Sequence, residues 1–269
     1  MPERSRGNDG AAVLETRAIT KVFGGLTAVS GFDLAVYEGE IASLIGPNGA
    51  GKTTVFNTVT GIYRPEEGRI LFNREDITGR APHQIAAKGI ARTFQNIRLF
   101  PNMTCLENVM AGQHSRASAG LWGSLFRTAG QVQEEKRIRE TAEERIRQVG
   151  LWDVRNELAR NIAYGSRRML EIARALAAEP SLLVLDEPSS GLNPRETEDL
   201  MVFLKDLIGR EKMTILLIEH DMNMVMGISD WVTVMDEGRK IAEGTPARVY
   251  SDPGVIEAYL GADDDEEVR

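Results

Sequence analysis

The 269-residue sequence predicts an α/β protein with a parallel central sheet, and three runs carry that reading. Gly46 to Thr54 matches the phosphate-binding pattern G-x-x-x-x-G-K-[ST], after the apolar run Ile41 to Ile45 and before the helix-compatible run Thr54 to Val59. Ser181 to Leu185 is unbroken apolar sequence ending in Asp186-Glu187-Pro188, and Thr214 to Ile218 is another ending in Glu219-His220-Asp221. Runs apolar at every position suit parallel strands buried on both faces. In such sheets the reactive groups collect at the C-terminal ends of the strands.

Taken in order, Met1 to Ala12 is polar and Gly-containing and reads as a disordered leader without a secretory apolar segment. Val13 to Phe23 and Val29 to Val36 have strand character and join through Gly24-Gly25. Phe23 can stack on a purine base or belong to the core. Turn residues Tyr37 to Glu40 deliver the strand before the phosphate loop. Arg69 to Phe72 predicts a short strand, Asn73 to Gly79 a polar turn, and Pro82 to Lys88 a helix ended by Gly89. Ile90 to Phe94 predicts a strand with Gln95 at its C-terminal end, where a surface amide and an active-site amide are both consistent readings.

From Asn96 to about Ala159 the sequence predicts a helical lobe. A helix starts near Leu106, and Ser115 to Gly130 reads as an amphipathic helix or hairpin. Gln133 to Val149 carries the apolar stripe Ile138, Ala142, Ile146 and Val149 on an otherwise charged helix. Tyr164-Gly165-Ser166 leads into a helix over Arg167 to Ala178, stopped by Pro180. Asn193, Pro194 and Glu196 have the spacing of a helix start, and Gly209 is the expected end of that helix. Trp231 to Met235 and Arg239 to Glu243 flank a hairpin turn at Asp236-Glu237-Gly238. Short helical pieces over Pro246 to Leu260 precede an acidic tail.

The chemistry at the loop follows from its residue types. Gly46, Pro47, Asn48, Gly49, Ala50, Gly51, Lys52, Thr53 and Thr54 can wrap backbone N–H groups around phosphate oxygens. Lys52 adds a point charge, and the Thr53 hydroxyl can face Mg²⁺. Asp186 can orient the metal or its water, and Glu187 can take a proton from an attacking water. His220 is a third group set at a strand end.

Composition narrows the class. A net charge of -8 disfavours nonspecific nucleic-acid binding, which needs a basic surface. Cys105 is the single cysteine, so an intrachain disulfide and a thiolate metal cluster are excluded, and a small apolar role is expected. His83, His114 and His220 show no metal-ligand spacing. No run of 18 or more apolar residues occurs, and a cytoplasmic location is expected.

In this order the motifs resemble the ATP-binding subunit of an ABC transporter from about Leu14 to Leu260. The lysine loop is Gly46 to Thr54, the glutamine loop is Gln95, the signature falls at Ile162 to Ser166, the carboxylate strand is Leu182 to Pro188, and the switch histidine is His220. The stretches Ile90 to Phe100, Leu170 to Leu176 and Gly191 to Thr197, with the Ser115 to Gly130 insertion, resemble the branched-chain amino acid importers, in the larger-type ATPase of the pair. Importers of amides or urea, and exporters, are the alternatives; a nucleic-acid-associated ATPase of this family is a more distant one. The resemblance implies a P-loop NTPase core with a parallel sheet, an antiparallel β subdomain and a helical subdomain. The implied division is a leader over 1–12, core with β subdomain over 13–95, helical subdomain over 96–178, the rest of the core over 179–260 and the tail over 261–269.

It also implies roles. Phe23 stacks on adenine, and Thr53, Gln95 and Asp186 complete a Mg²⁺ environment beside ATP. Glu187 is the general base, and His220 touches the γ-phosphate. Ala163, Tyr164, Gly165 and Ser166, with Gly191 to Asn193, serve the nucleotide of a second ATP-binding subunit, a shorter paralogue or a second copy. Two permease subunits at the cytoplasmic face of the cell membrane, and indirectly a solute-binding protein, complete the expected assembly, which includes no nucleic acid. The signature departs from the family's Leu-Ser-Gly-Gly-Gln: Ala163 lacks the serine hydroxyl and Ser166 is shorter than glutamine. This predicts an altered contact with the partner's nucleotide. Trp231 stands where the family tends to have arginine.

Overall fold

A computed structural model describes residues 12–113 and 129–266, with backbone alone at 129–132 and 260–266. The chain divides into two compact units, one holding the chain up to Ile85 and from Leu204 onward, the other Ala86–Phe203.

The first unit begins with β1 (Ala12–Phe23), β2 (Leu26–Tyr37), β3 (Ile41–Ile45), α1 (Lys52–Val59), β4 (Glu67–Phe72), β5 (Glu75–Asp76) and α2 (Pro82–Ala87), whose last two residues fall in the second unit. The second unit contains β6 (Ile90–Arg92), α3 (Cys105–Ala111), α4 (Ala129–Gln148), α5 (Tyr164–Leu176) and β7 (Leu182–Asp186). Helix α6 (Pro194–Glu211) passes from the second unit back to the first. There follow β8 (Thr214–Ile218), α7 (Met222–Ile228), β9 (Trp231–Asp236), β10 (Arg239–Gly244), α8 (Pro246–Tyr250) and α9 (Pro253–Glu266).

Two sheet systems build the first unit. Strand β1 pairs antiparallel with β2 and with β4, and β4 with β5. Strand β3 runs parallel between β8 and β9, and β10 closes as a hairpin on β9. All five residues of β3 and of β8 are buried, as expected of strands covered on both faces. Ile45, Val225, Val232, Val234, Val249 and Val255 form an apolar cluster beneath the end of β3, with Met222, Ala242 and Tyr259 packed against it. Trp231 opens β9 as a buried ring opposite Ala42.

In the second unit β6 pairs parallel with β7. Three of the four predicted stripe residues, Ala142, Ile146 and Val149, are buried and pack with Cys105, Leu106, Val109, Leu170 and Ala173, while Ile138 is half-buried. Burial pushes the Cys105 thiol up, which makes it a poor nucleophile and fits its apolar role. Thr104 opens α3 with a capping box: its side chain accepts the Glu107 N–H, and Glu107 reaches back to the Thr104 N–H. Asn193 does the same for α6, accepting from the N–H groups of Arg195 and Glu196 while donating its own N–H to the Glu196 carboxylate.

Several boundaries differ from the sequence expectation. Glu75–Asp76 forms a strand inside the predicted polar turn, because Phe72 and Glu75 pair across a tight reversal at Asn73-Arg74, both with positive φ. The strand from Ile90 ends at Arg92, although the Thr93 N–H still bonds the Val184 carbonyl at 3.0 Å. The helix expected from Arg167 starts three residues earlier, at Tyr164. Helix α6 runs through Gly209 to Glu211; one glycine costs about 1 kcal/mol there, and the left-handed φ of 52° falls at Lys212 instead. Helix α7 had no counterpart in the reading, and α9 continues through the acidic residues to Glu266. Residues 115–128 of the expected Ser115 to Gly130 segment, and 1–11 of the leader, lie outside the described residues.

Candidate functional site: a phosphate loop and a carboxylate pair

Strand β3 ends where its side chains stop being apolar, and Gly46 turns the chain into the loop. A Cβ at Gly46 would come 1.9 Å from the Met235 carbonyl oxygen, and one at Gly51 would come 2.4 Å from the Ala28 carbonyl oxygen at a φ of 103°. Only glycine fits either place. The loop is pinned from outside: the Gly238 N–H donates to the Ala50 carbonyl at 3.0 Å, and the Ser30 N–H to the Gly238 carbonyl at 2.9 Å. Asn48, Gly49 and Thr53 remain exposed at the start of α1, where the first-turn N–H groups of a helix lack intrahelical partners.

Lys52 is 7% exposed, and its Nζ donates to the carbonyls of Gly46 at 2.6 Å and Pro47 at 2.8 Å. The ammonium thus spans the loop from inside. Gly46→Ala is expected to lower stability by about 2 kcal/mol or more and to abolish nucleotide binding; thermal denaturation and a nucleotide titration on one preparation read both. Unchanged values would show that the Met235 carbonyl yields freely.

Two further sequence-named groups lie in this unit. Phe23 is 41% exposed at the end of β1, edge-on to Tyr63 with ring centroids 5.0 Å apart, so it is a surface ring and not a core one. His220 is exposed at the end of β8. Its backbone is held by its neighbours: the fully buried Glu219 carboxylate accepts the His220 N–H at 3.0 Å and the Asp221 N–H at 3.3 Å, and Asp221 caps α7. Glu219 was passed over by the sequence reading. The signal for it was a carboxylate continuing an apolar strand.

In the second unit β7 delivers Asp186 and Glu187. Asp186 is buried, and its Oδ2 accepts from Arg92 at 2.7 Å. Glu187 holds a φ of 45°, unusual for a side chain of its size and a form of strain found at functional positions. Its Oε2 accepts from Gln95 Nε2 at 2.8 Å. The structure therefore brings Gln95 and Glu187 together from segments 92 residues apart.

The signature stretch and the loop after the carboxylates also meet. Ala163 sits at the N-cap of α5 and offers no side-chain cap. The Tyr164 hydroxyl donates to the Ser190 carbonyl at 3.2 Å. A Cβ at Gly165 would fall 2.4 Å from Glu196 Oε1, and one at Gly191 would fall 2.7 Å from the Tyr164 ring. Ser166 is half-buried on the first turn of α5.

Sequence reasoning missed the charged network that holds the Gln95 segment. Arg168, fully buried on α5, donates to the carbonyls of Phe94 and Gln95 at 2.8 Å each and to Glu171 Oε2 at 3.0 Å. Glu171 Oε1 accepts the Arg98 N–H at 3.1 Å, and Arg174 Nη1 donates to the Arg98 carbonyl. Burial pushes the Glu171 carboxyl up, against the pull of these donors. Charges at helical spacing within an apolar face were the only hint in the sequence.

A glycine-lined phosphate loop after a buried parallel strand defines a nucleotide-binding α/β cassette. The family described as ABC transporter matches residues 29–190, and one described as Branched-chain amino acid ATP-binding cassette transporter matches residues 239–265. The high-affinity branched-chain amino acid transport ATP-binding protein BraF of Pseudomonas aeruginosa is 46% identical over 93% of this chain and 98% of its own. LivG of Escherichia coli, which carries the same description, is 45% identical over the same shares. Among solved structures, the ADP conformation of an ATP-binding cassette of an ABC transporter covers 93% of this chain and 99% of its own, at a TM-score of 0.82 and 34% identity. A nucleotide-free cassette matches at a TM-score of 0.81 and 32% identity. The chain belongs to the ABC transporter family, as an ATP-binding and ATP-hydrolysing cassette with the P-loop α/β fold.

Proposed function

We propose that this cassette powers the import of branched-chain amino acids at the cytoplasmic face of the cell membrane. The observation that carries this is the 45% to 46% identity, over 93% of the chain, to BraF and LivG, whose names state that transport. The match over 239–265 supports it from a second stretch. No helix among the described residues is long and apolar enough to cross a membrane. We assign attachment to two permease subunits, with a solute-binding protein outside. Import of amides or urea is the second reading.

In the reaction we assign, Gly46 to Thr54 binds the phosphates of ATP, Lys52 supplies charge, and Phe23 stacks on the base. The donors Thr53, Gln95 and Asp186 offer hydroxyl, amide and carboxylate oxygens, the hard ligands that suit Mg²⁺. Gln95 fits: it spends its Nε2 on Glu187, which leaves its carbonyl oxygen for a cation. When bound, Mg²⁺ neutralises phosphate charge. Glu187 takes the proton of the attacking water, and His220 steadies the γ-phosphate. Ala163 to Ser166 and Gly191 to Asn193 serve the nucleotide of a partner ATPase, a shorter paralogue or a second copy.

Two experiments test this. Reconstituted with its permeases and binding protein, the complex should hydrolyse ATP faster when leucine is supplied, and stimulation by urea or amides alone would transfer the assignment to the second reading. In the ATPase heterodimer, Ala163→Ser should change turnover and dimer affinity, by an amount set by one added hydroxyl, about 1 kcal/mol or a few-fold. Identical values would remove the departure at Ala163 from the mechanism.

A further inference from the structure

Arg92 lies on β6, and the parallel register sets it against Val184, two residues before Asp186 on β7. Residues two apart on a strand share a face, which brings the guanidinium alongside the carboxylate. Arg92 Nη2 donates to Asp186 Oδ2 at 2.7 Å, with the two side chains 8% and 6% exposed. The guanidinium also lies over the Phe94 ring, 5.0 Å from its centre. A pair so removed from water is weakly screened, so each charge governs the other. The family reading gives Asp186 to the divalent cation of the nucleotide. The chain here supplies that carboxylate with a cation of its own.

We propose that Arg92 sets how tightly Asp186 holds the divalent cation that accompanies the nucleotide. The proposal rests on the assignment of Asp186 to that cation. Oδ2 is committed to the guanidinium, which leaves Oδ1 to face the cation or its water. The positive charge of Arg92 subtracts from the attraction that Asp186 exerts. The proposal gives Arg92 no contact with nucleotide or attacking water, so its role is that of a positioning residue. It acts through its own charge, which opposes the cation beside Asp186 and does so equally when Asp186 is replaced by asparagine.

A purely structural pair predicts something else: removing Arg92 would only loosen β6 against β7, and cation affinity would fall or stay as it was. The test uses the full chain saturated with ADP, with Mn²⁺ as a paramagnetic reporter whose free signal is followed by electron paramagnetic resonance. Asp186→Asn is expected to weaken Mn²⁺ binding about tenfold or more. Adding Arg92→Met to Asp186→Asn is expected to recover about tenfold. Arg92→Met alone should tighten binding, and Arg92→Lys, which keeps the charge, should stay within about threefold of the parent.

If Asp186→Asn leaves Mn²⁺ binding unchanged, Asp186 is not the cation's carboxylate and the proposal falls with that assignment. If Asp186→Asn weakens binding and the double variant recovers nothing, the assignment stands and the role of Arg92 is overturned. The double variant buries no lone ion. It therefore decides the matter even if Arg92→Met does not fold by itself.

Discussion

Lys52→Ala is expected to leave a folded chain that no longer holds ATP. Its Nζ donates to the carbonyls of Gly46 and Pro47, the first two residues of the loop, from a side chain nearly closed off from water. Removing it deletes the one cation in the loop and both bonds that shape the loop's first turn. A charge-assisted contact to phosphate in a partly desolvated site contributes roughly 1.5–3 kcal/mol. Loss of loop shape adds to that, so affinity should fall by about 100-fold or more. The fold should survive, since Val55, Phe56 and Val59 still anchor α1 in the core. Calorimetric titration with ATP, alongside a denaturation curve, separates the two effects, and unchanged affinity in a folded variant would end the assignment of this loop.

Glu187→Gln carries the second large effect. The side chain keeps its length and an oxygen that can accept from Gln95, but it can no longer take a proton. ATP binding should persist, and hydrolysis should drop about 10²-fold or more, the scale of a lost general base. The same loss should accumulate ATP-bound dimers, visible by size-exclusion chromatography. Glutamine tolerates the left-handed φ of 45° at this position about as well as glutamate, so stability should hardly move. Near-normal turnover in this variant would pass the base to another group.

The regular elements were legible because local chemistry decided them. The buried strands β3, β7 and β8 announced themselves as apolar runs, and the polar groups at their ends were found from those runs alone. The cap at Asn193 was equally local, a side chain meeting N–H groups two and three residues on. Gly209 misled because glycine is a weak helix breaker and Lys212 took the left-handed turn. Strand β5 was hidden because a two-residue edge strand owes its existence to a partner and not to propensity.

By itself the sequence determined the individual buried strands, the phosphate loop and the carboxylate strand, since each is written within a dozen consecutive residues. The tertiary structure alone decided which charges meet. Arg92 reaches Asp186 across 94 residues, and Arg168 reaches the Phe94 and Gln95 carbonyls across 74 and 73. A charged residue reads as solvated until the fold removes it from water. Once buried it must find its opposite, and that partner is set by strand register and helix packing.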